Sequence, residues 1–355
     1  METAKYFKIK VSTIIPDRPI DFDLFIMING RYVHYLRGGD CLSKEKIAQL
    51  GRADVFYILE EHRQNFKKFI FERMNEETID VATKAHILRE SSMALAEEIF
   101  EQPDVSRALD ESKELITQFI DFMEQEPEGM AHLISLSSHD FYTYNHSLDV
   151  SVYSLGLGKA CGYNREDLSE LGRGALFHDI GKRNVHVDII TKQGPLSEVE
   201  WAQMQKHPQY GLKILTDYAC SEAMRACCFE HHESFAGNGY PQQLLGPEIH
   251  PMARIVAVTD TYDALTTKRS YNVPMMPQDA VEFMKTKLSG RYDPDILAAM
   301  YSVMFEPHFN RSSITGIFNF NPYIIKFEDF FNNHRSDVER CFRACYDNPA
   351  RRFRK

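Results

Sequence analysis

A chain of 355 residues is long enough for two domains, each with its own core. Its 43% hydrophobic and 26% charged residues are those of a folded globular protein and exclude a disordered one. A formal net charge of -10 argues against a broad DNA or RNA surface, which needs a basic face, but not against a small phosphorylated ligand drawn to a local metal cluster.

Residues 1–75 read as a small α/β domain with a regulatory or dimerisation role. Phe22–Ile28 and Tyr32–Leu36 are aromatic and branched, and Asn29-Gly30 between them signals a hairpin. Leu42 to Lys46 predicts a short helix capped near Ser43, and Asp54–Leu59 a further strand. Residues 76–129 form a helical connector. There Ile79, Ala82, His86, Ile87, Met93, Ala96 and Ile99 recur at three- and four-residue steps, and Gln102-Pro103-Asp104 divides two helices. This stretch, or the N-terminal domain, could also pair two copies as a homodimer.

Residues 130–304 are mostly helical, with no convincing run of alternating strands, so the fold class expected is mainly α. An aromatic-rich extension over 305–355 ends in Arg351-Arg352-Phe353-Arg354-Lys355, read as a frayed, solvated terminus. The seven cysteines (41, 161, 220, 227, 228, 341, 345) are an odd number without framework spacing. No signal peptide precedes Lys5 to Lys10, and no apolar run approaches the ~20 residues of a spanning helix. A reduced, cytoplasmic protein without a membrane span is expected.

The chemistry concentrates in the helical half, where nine of the fourteen histidines lie between residues 132 and 250. His146 starts a helix carrying Val150, Val152 and Leu155 and, taken alone, reads as an ordinary satisfied histidine. His178-Asp179 follows the apolar face Leu168, Leu171, Ala175 and Leu176, where a carboxylate is costly unless paired or metal-bound. Gly181 lets the backbone leave the helix, and Lys182 returns a positive charge toward the acidic pair. His207-Pro208 follows the capping box Ser197-x-x-Glu200, at a boundary that can aim the imidazole inward. His231-His232 closes the segment Glu222–Glu230, and adjacent imidazoles are hard to explain as packing. Asp260 sits inside the apolar run Ile255–Thr259, where helix capping is the bland account and metal ligation the sharper one.

With Gly239-Tyr240-Pro241, Ala253-Arg254-Ile255, Asp260-x-Tyr262-Asp263 and Arg269-x-Tyr271, these motifs resemble the HD-GYP family over roughly residues 138–300. This is a branch of the HD superfamily of metal-dependent phosphohydrolases. The resemblance implies an all-helical HD-type domain over 130–304 and hydrolysis of cyclic di-GMP, or a related cyclic dinucleotide, to pGpG and in some members to GMP. It also implies attack by a metal-bridged hydroxide. One ion would be held by His146, His178, Asp179 and Asp260, the second by His207, His231 and His232, with Asp179 bridging. Asp179 and Lys182 would be catalytic, and Lys182, Gly239, Tyr240 and Arg269 would line the substrate site. The ions would be two divalent transition metals, iron or manganese foremost, with zinc and nickel as alternatives. Members with three metals carry a glutamate where this chain has Tyr142, so a binuclear site is expected, with Asp140 and Glu233 as less favoured third-metal carboxylates. The alternative functions are a cyclic di-GMP receptor or scaffold with little turnover, and an HD hydrolase for another nucleotide.

Overall fold

The structure is a computed structural model describing residues 5–50, 55–101, 104–126, 128–136, 143–192, 194–268 and 273–305. It is mainly α, with a small N-terminal sheet, and divides into two compact units. The first takes residues up to 103 with 121–136, the second 104–120 with those from 137 onward.

In the first unit, β1 (Tyr6–Lys10), β2 (Leu24–Ile28), β3 (Arg31–Leu36), α1 (Lys44–Gln49), β4 (Val55–Leu59) and α2 (Arg63–Met74) occur in chain order. The antiparallel sheet has the order β1-β4-β2-β3. Asn29 and Gly30 both have positive φ (50° and 76°), the twist a two-residue hairpin requires, and they set the register Met27↔Tyr32. The Ser43 side chain caps α1 by accepting from the Lys46 amide. β1 was not anticipated from sequence. Its pattern alternates Phe7 and Ile9 inward, and pairing with β4 in the register Ile9↔Phe56 makes it a strand. α2, also unanticipated, lays Phe66, Phe69 and Ile70 over this inner face, completing a core with Phe22, Leu24 and Ile58. The connector forms α3 (Val81–Glu101), α4 (Val105–Gln125) and the short α5 (Gly129–Ser135).

The second unit is built from α6 (Thr143–Ala160), α7 (Arg165–Leu176), α8 (Val187–Ile190), α9 (Glu198–Met204), α10 (His207–Asp217), α11 (Glu222–Glu230), α12 (Pro251–Thr266), α13 (Pro277–Thr286) and α14 (Pro294–Phe305). The capping box predicted at Ser197 and Glu200 opens α9. Buried hydroxyls tie the central helices. Ser151 on α6 donates to the Gly172 carbonyl on α7 (2.8 Å), and Ser154 shares a hydrogen bond with Thr259 on α12 (2.8 Å). Among the described residues no helix is long and apolar enough to cross a membrane.

Candidate metal centre

The helices α6, α7, α10, α11 and α12 bring together all seven residues expected as ligands. His146 comes from the first turns of α6, and His178 and Asp179 from the turn that ends α7. His207 opens α10, His231 caps the end of α11 with His232 beside it, and Asp260 lies inside α12. None of the seven is more than 7% exposed. The tightest join is made by Gly181, in the 3-10 turn Ile180–Asn184 after Asp179. A Cβ there would collide with the His207 carbonyl and the Gly211 amide, so only glycine lets this turn lie against the start of α10. That approach puts Asp179 Oδ1 3.3 Å from His207 Nε2.

Asp179 stands between two sets of donors. Its Oδ2 lies 3.3 Å from His178 Nε2 and 3.7 Å from His146 Nε2, while its Oδ1 faces His207 Nε2 and, at 3.9 Å, His231 Nε2. Asp260 Oδ1 adds to the first set, 3.2 Å from His146 Nε2 and 3.9 Å from His178 Nε2. Three groups that could each hold an ion follow among the described residues: His146, His178 and Asp260; His207, His231 and His232; and, between these, His178, Asp179 and His231.

The outer nitrogens decide which face of each imidazole looks inward. His178 Nδ1 donates to the Ala175 carbonyl (2.7 Å), His207 Nδ1 to the Met204 carbonyl (2.8 Å), and His231 Nδ1 to the carbonyls of Cys228 (2.9 Å) and Cys227 (3.1 Å). Carbonyls only accept, so in the neutral rings the proton sits on Nδ1 and each Nε2 presents a bare lone pair. His207 Nε2 and His231 Nε2 are 3.4 Å apart, and neither has a proton to offer the other. His178 Nε2 and Asp179 Oδ1 are likewise buried without a hydrogen bond. Lone pairs facing lone pairs in a dry interior are unfavourable, and a cation among them removes the conflict. The donor set fits divalent metal ions.

Protonation follows the same division. Burial drives the His207 imidazole down to about 4 and His231 to about 3, so both are neutral near pH 7. Burial also acts downward on His146, but hydrogen bonds to Asp260 and Asp263 outweigh it and raise this imidazole to about 9. Burial would raise the Asp179 carboxyl; Lys182 and the neighbouring His178 overcome this and hold it well below the usual range. Lys182 supplies that charge through a 2.5 Å contact with Asp179 Oδ2.

The HD domain family model matches residues 128–296, the segment that carries all of these groups. This segment is an HD domain. Over 218 residues the chain is 30% identical to the cyclic di-GMP phosphodiesterase PA4108 of Pseudomonas aeruginosa, covering 61% of this chain and 52% of that protein. Over 159 residues it is 36% identical to the 3'3'-cGAMP-specific phosphodiesterase 3 of Vibrio cholerae serotype O1, covering 45% and 35%. The chain thus spans about half of the first relative's length and about a third of the second's. In fold it is similar to Bd1817, described as a HDG"Y"P protein from Bdellovibrio bacteriovorus. The TM-score is 0.66 at 23% identity, over 84% of this chain and 99% of that one.

Other residues of the HD domain take more varied places. Tyr240 is half-buried and stacks on His232, with ring centroids 4.8 Å apart and planes at 27°. Gly239 beneath it is buried. Glu233, weighed above as a third-metal carboxylate, instead spends both oxygens on the amides of Gln242, Gln243 and Leu244. Arg269, Tyr142 and Asp140 lie outside the described residues, as does the extension beyond Phe305. Asp263 was given no role from sequence, yet its Oδ2 lies 2.7 Å from His146 Nδ1 and its Oδ1 accepts from Thr267. The available signal was its place three residues after Asp260, on the same face of a helix. Arg254, of the Ala253-Arg254-Ile255 motif, donates to Asp293 (2.8 Å) and to the Ile249 carbonyl (2.9 Å) at the start of α12.

Proposed function

We propose that this HD domain is a metal-dependent phosphodiesterase of the HD-GYP branch that hydrolyses a cyclic dinucleotide, cyclic di-GMP foremost, to its linear product pGpG. The observation that carries the reading is the set of inward-facing lone pairs around Asp179, above all the opposed Nε2 atoms of His207 and His231. Both relatives above bear the names of phosphodiesterases for cyclic dinucleotides, which supports this substrate class.

The reading assigns one ion to His146, His178, Asp179 and Asp260, and the other to His207, His231 and His232, with Asp179 between them. Mixed imidazole and carboxylate donors favour iron or manganese and admit zinc or nickel. Bound there, such cations would lower the pKa of an attacking water and offset the charge that builds on the phosphate. Asp179 fixes the two halves at one separation. Lys182 contacts Asp179 while keeping 29% of its side chain exposed, so its ammonium can donate to a phosphate oxygen at the mouth of the site. Arg269 is proposed as a second phosphate contact. The turn of Gly239 and Tyr240 forms a wall that orients the nucleotide, and burial of the seven ligands keeps bulk water from screening the charges.

The test is turnover of cyclic di-GMP and 3′3′-cGAMP by protein loaded anaerobically with Fe(II) or Mn(II), with products resolved. Hydrolysis is expected, with about two ions per chain, as a bridging carboxylate requires. Asp179→Ala should abolish turnover. Tight binding without products would make the protein a receptor. Indifference to both dinucleotides, with hydrolysis of another nucleotide, would make it a different HD hydrolase.

A further inference from the structure

The stretch after the histidine doublet is folded back on itself around one buried carboxylate. Glu233 is 2% exposed. Its Oε1 accepts from the amides of Gln242 (2.6 Å) and Gln243 (3.1 Å), and its Oε2 from that of Leu244 (3.0 Å). Three successive backbone amides on one carboxylate make an anion-holding nest supplied from within the chain. From the other side, the Tyr240 amide donates to the His232 carbonyl (3.2 Å). Gly239 lies so close to the backbone of Glu233 and Ser234 that any Cβ would collide with it. The Tyr240 ring is thereby pressed on His232, and Trp201 of α9 abuts it edge-on, with centroids 6.5 Å apart and planes at 76°.

We infer that Glu233 is a positioning residue, not a metal ligand: it fastens residues 242–244 to the chain beside His232 and so holds Tyr240 against the second half of the centre. Both of its oxygens are engaged by amides, and no candidate ligand group among the described residues includes it. Glutamine cannot replace it, because an amide would set an N–H against one of the backbone donors and leave it without an acceptor.

Trp201 is the chain's only tryptophan, so its fluorescence reads the Tyr240 wall directly. In the full-length protein, Glu233→Gln should red-shift Trp201 emission and increase its quenching by acrylamide, with ion content unchanged. KM for cyclic di-GMP should rise about tenfold, the loss of one charge-assisted hydrogen bond, with kcat nearly constant. Gly239→Ala, which displaces the same turn without touching the carboxylate, should move the same readouts in the same direction. Loss of an ion in Glu233→Gln, or unchanged Trp201 emission in both variants, overturns the inference. A proportional fall in kcat, ion content and Tm together would mark a merely structural role and also overturn it. The kinetic arm alone rests on the phosphodiesterase reading; if the wild type turns over no cyclic dinucleotide, emission and ion content still decide the role of Glu233.

Discussion

In the half of the centre built on His146, His178 and Asp260, the histidine from α6 meets carboxylates at both nitrogens, Asp263 at Nδ1 and Asp260 at Nε2. In the half built on His207, His231 and His232, the outer nitrogens of His207 and His231 are instead held by backbone carbonyls of Met204, Cys227 and Cys228. The consequence is a difference in charge. His146 is raised to about 9 and carries a proton near neutral pH, whereas His207 and His231 are lowered to about 4 and 3 and stay neutral. Metal binding must therefore displace a proton from the first half but meets ready lone pairs in the second. Carbonyl anchoring comes with helix geometry and survives side-chain substitution; carboxylate anchoring depends on one residue.

The largest expected effect is on the stability of the metal-free protein as pH changes. Between pH 6.5 and about 9, folded His146 keeps a proton that the unfolded chain has lost, so stability falls as pH rises through that window. Between about 4 and 6.5, His207 and His231 refuse protons that the unfolded chain binds, so stability rises with pH. Calorimetry from pH 4 to 9 should show a Tm maximum near 6.5, and a monotonic profile would break the contrast between the halves. A smaller effect is expected from Asp263→Asn. It should weaken the ion of the first half by about 10–100-fold, as loss of a partner that orients a ligand does, and flatten the high-pH limb. Equal weakening of both ions in a metal titration would show that the halves are not independent. The smallest effect is expected from Cys228→Ala. It removes a buried thiol but keeps the carbonyl that anchors His231, so it should lower Tm through the cavity while leaving ion affinity within about twofold.

Much of the local structure was legible in residue order. Asn29-Gly30 specified its hairpin, Ser43 its cap and Ser197 with Glu200 its capping box, because each device acts within four residues. β1 was not legible: Lys8 and Lys10 dilute its pattern, and only pairing with β4 makes Tyr6–Lys10 a strand. α2 escaped for a related reason, since its apolar residues take their meaning from the sheet they cover. In the site, the seven candidate ligands were read from residue type and motif, whereas Asp263, Trp201 and the clamp at Glu233 were not.

Which side chains could coordinate an ion followed from residue type, because ligand chemistry belongs to imidazole and carboxylate wherever they stand. Helix geometry turned the bare nitrogens of His178, His207 and His231 inward, each through a carbonyl three or four residues back, whereas packing between helices set the partner of His146 and placed Asp179 between two sets of donors. The latter outcomes rest on hydrogen bonds and close contacts between distant segments, such as the pair His146 and Asp263, 117 residues apart. Such pairs acquire an energy only once the helices pack and exclude water.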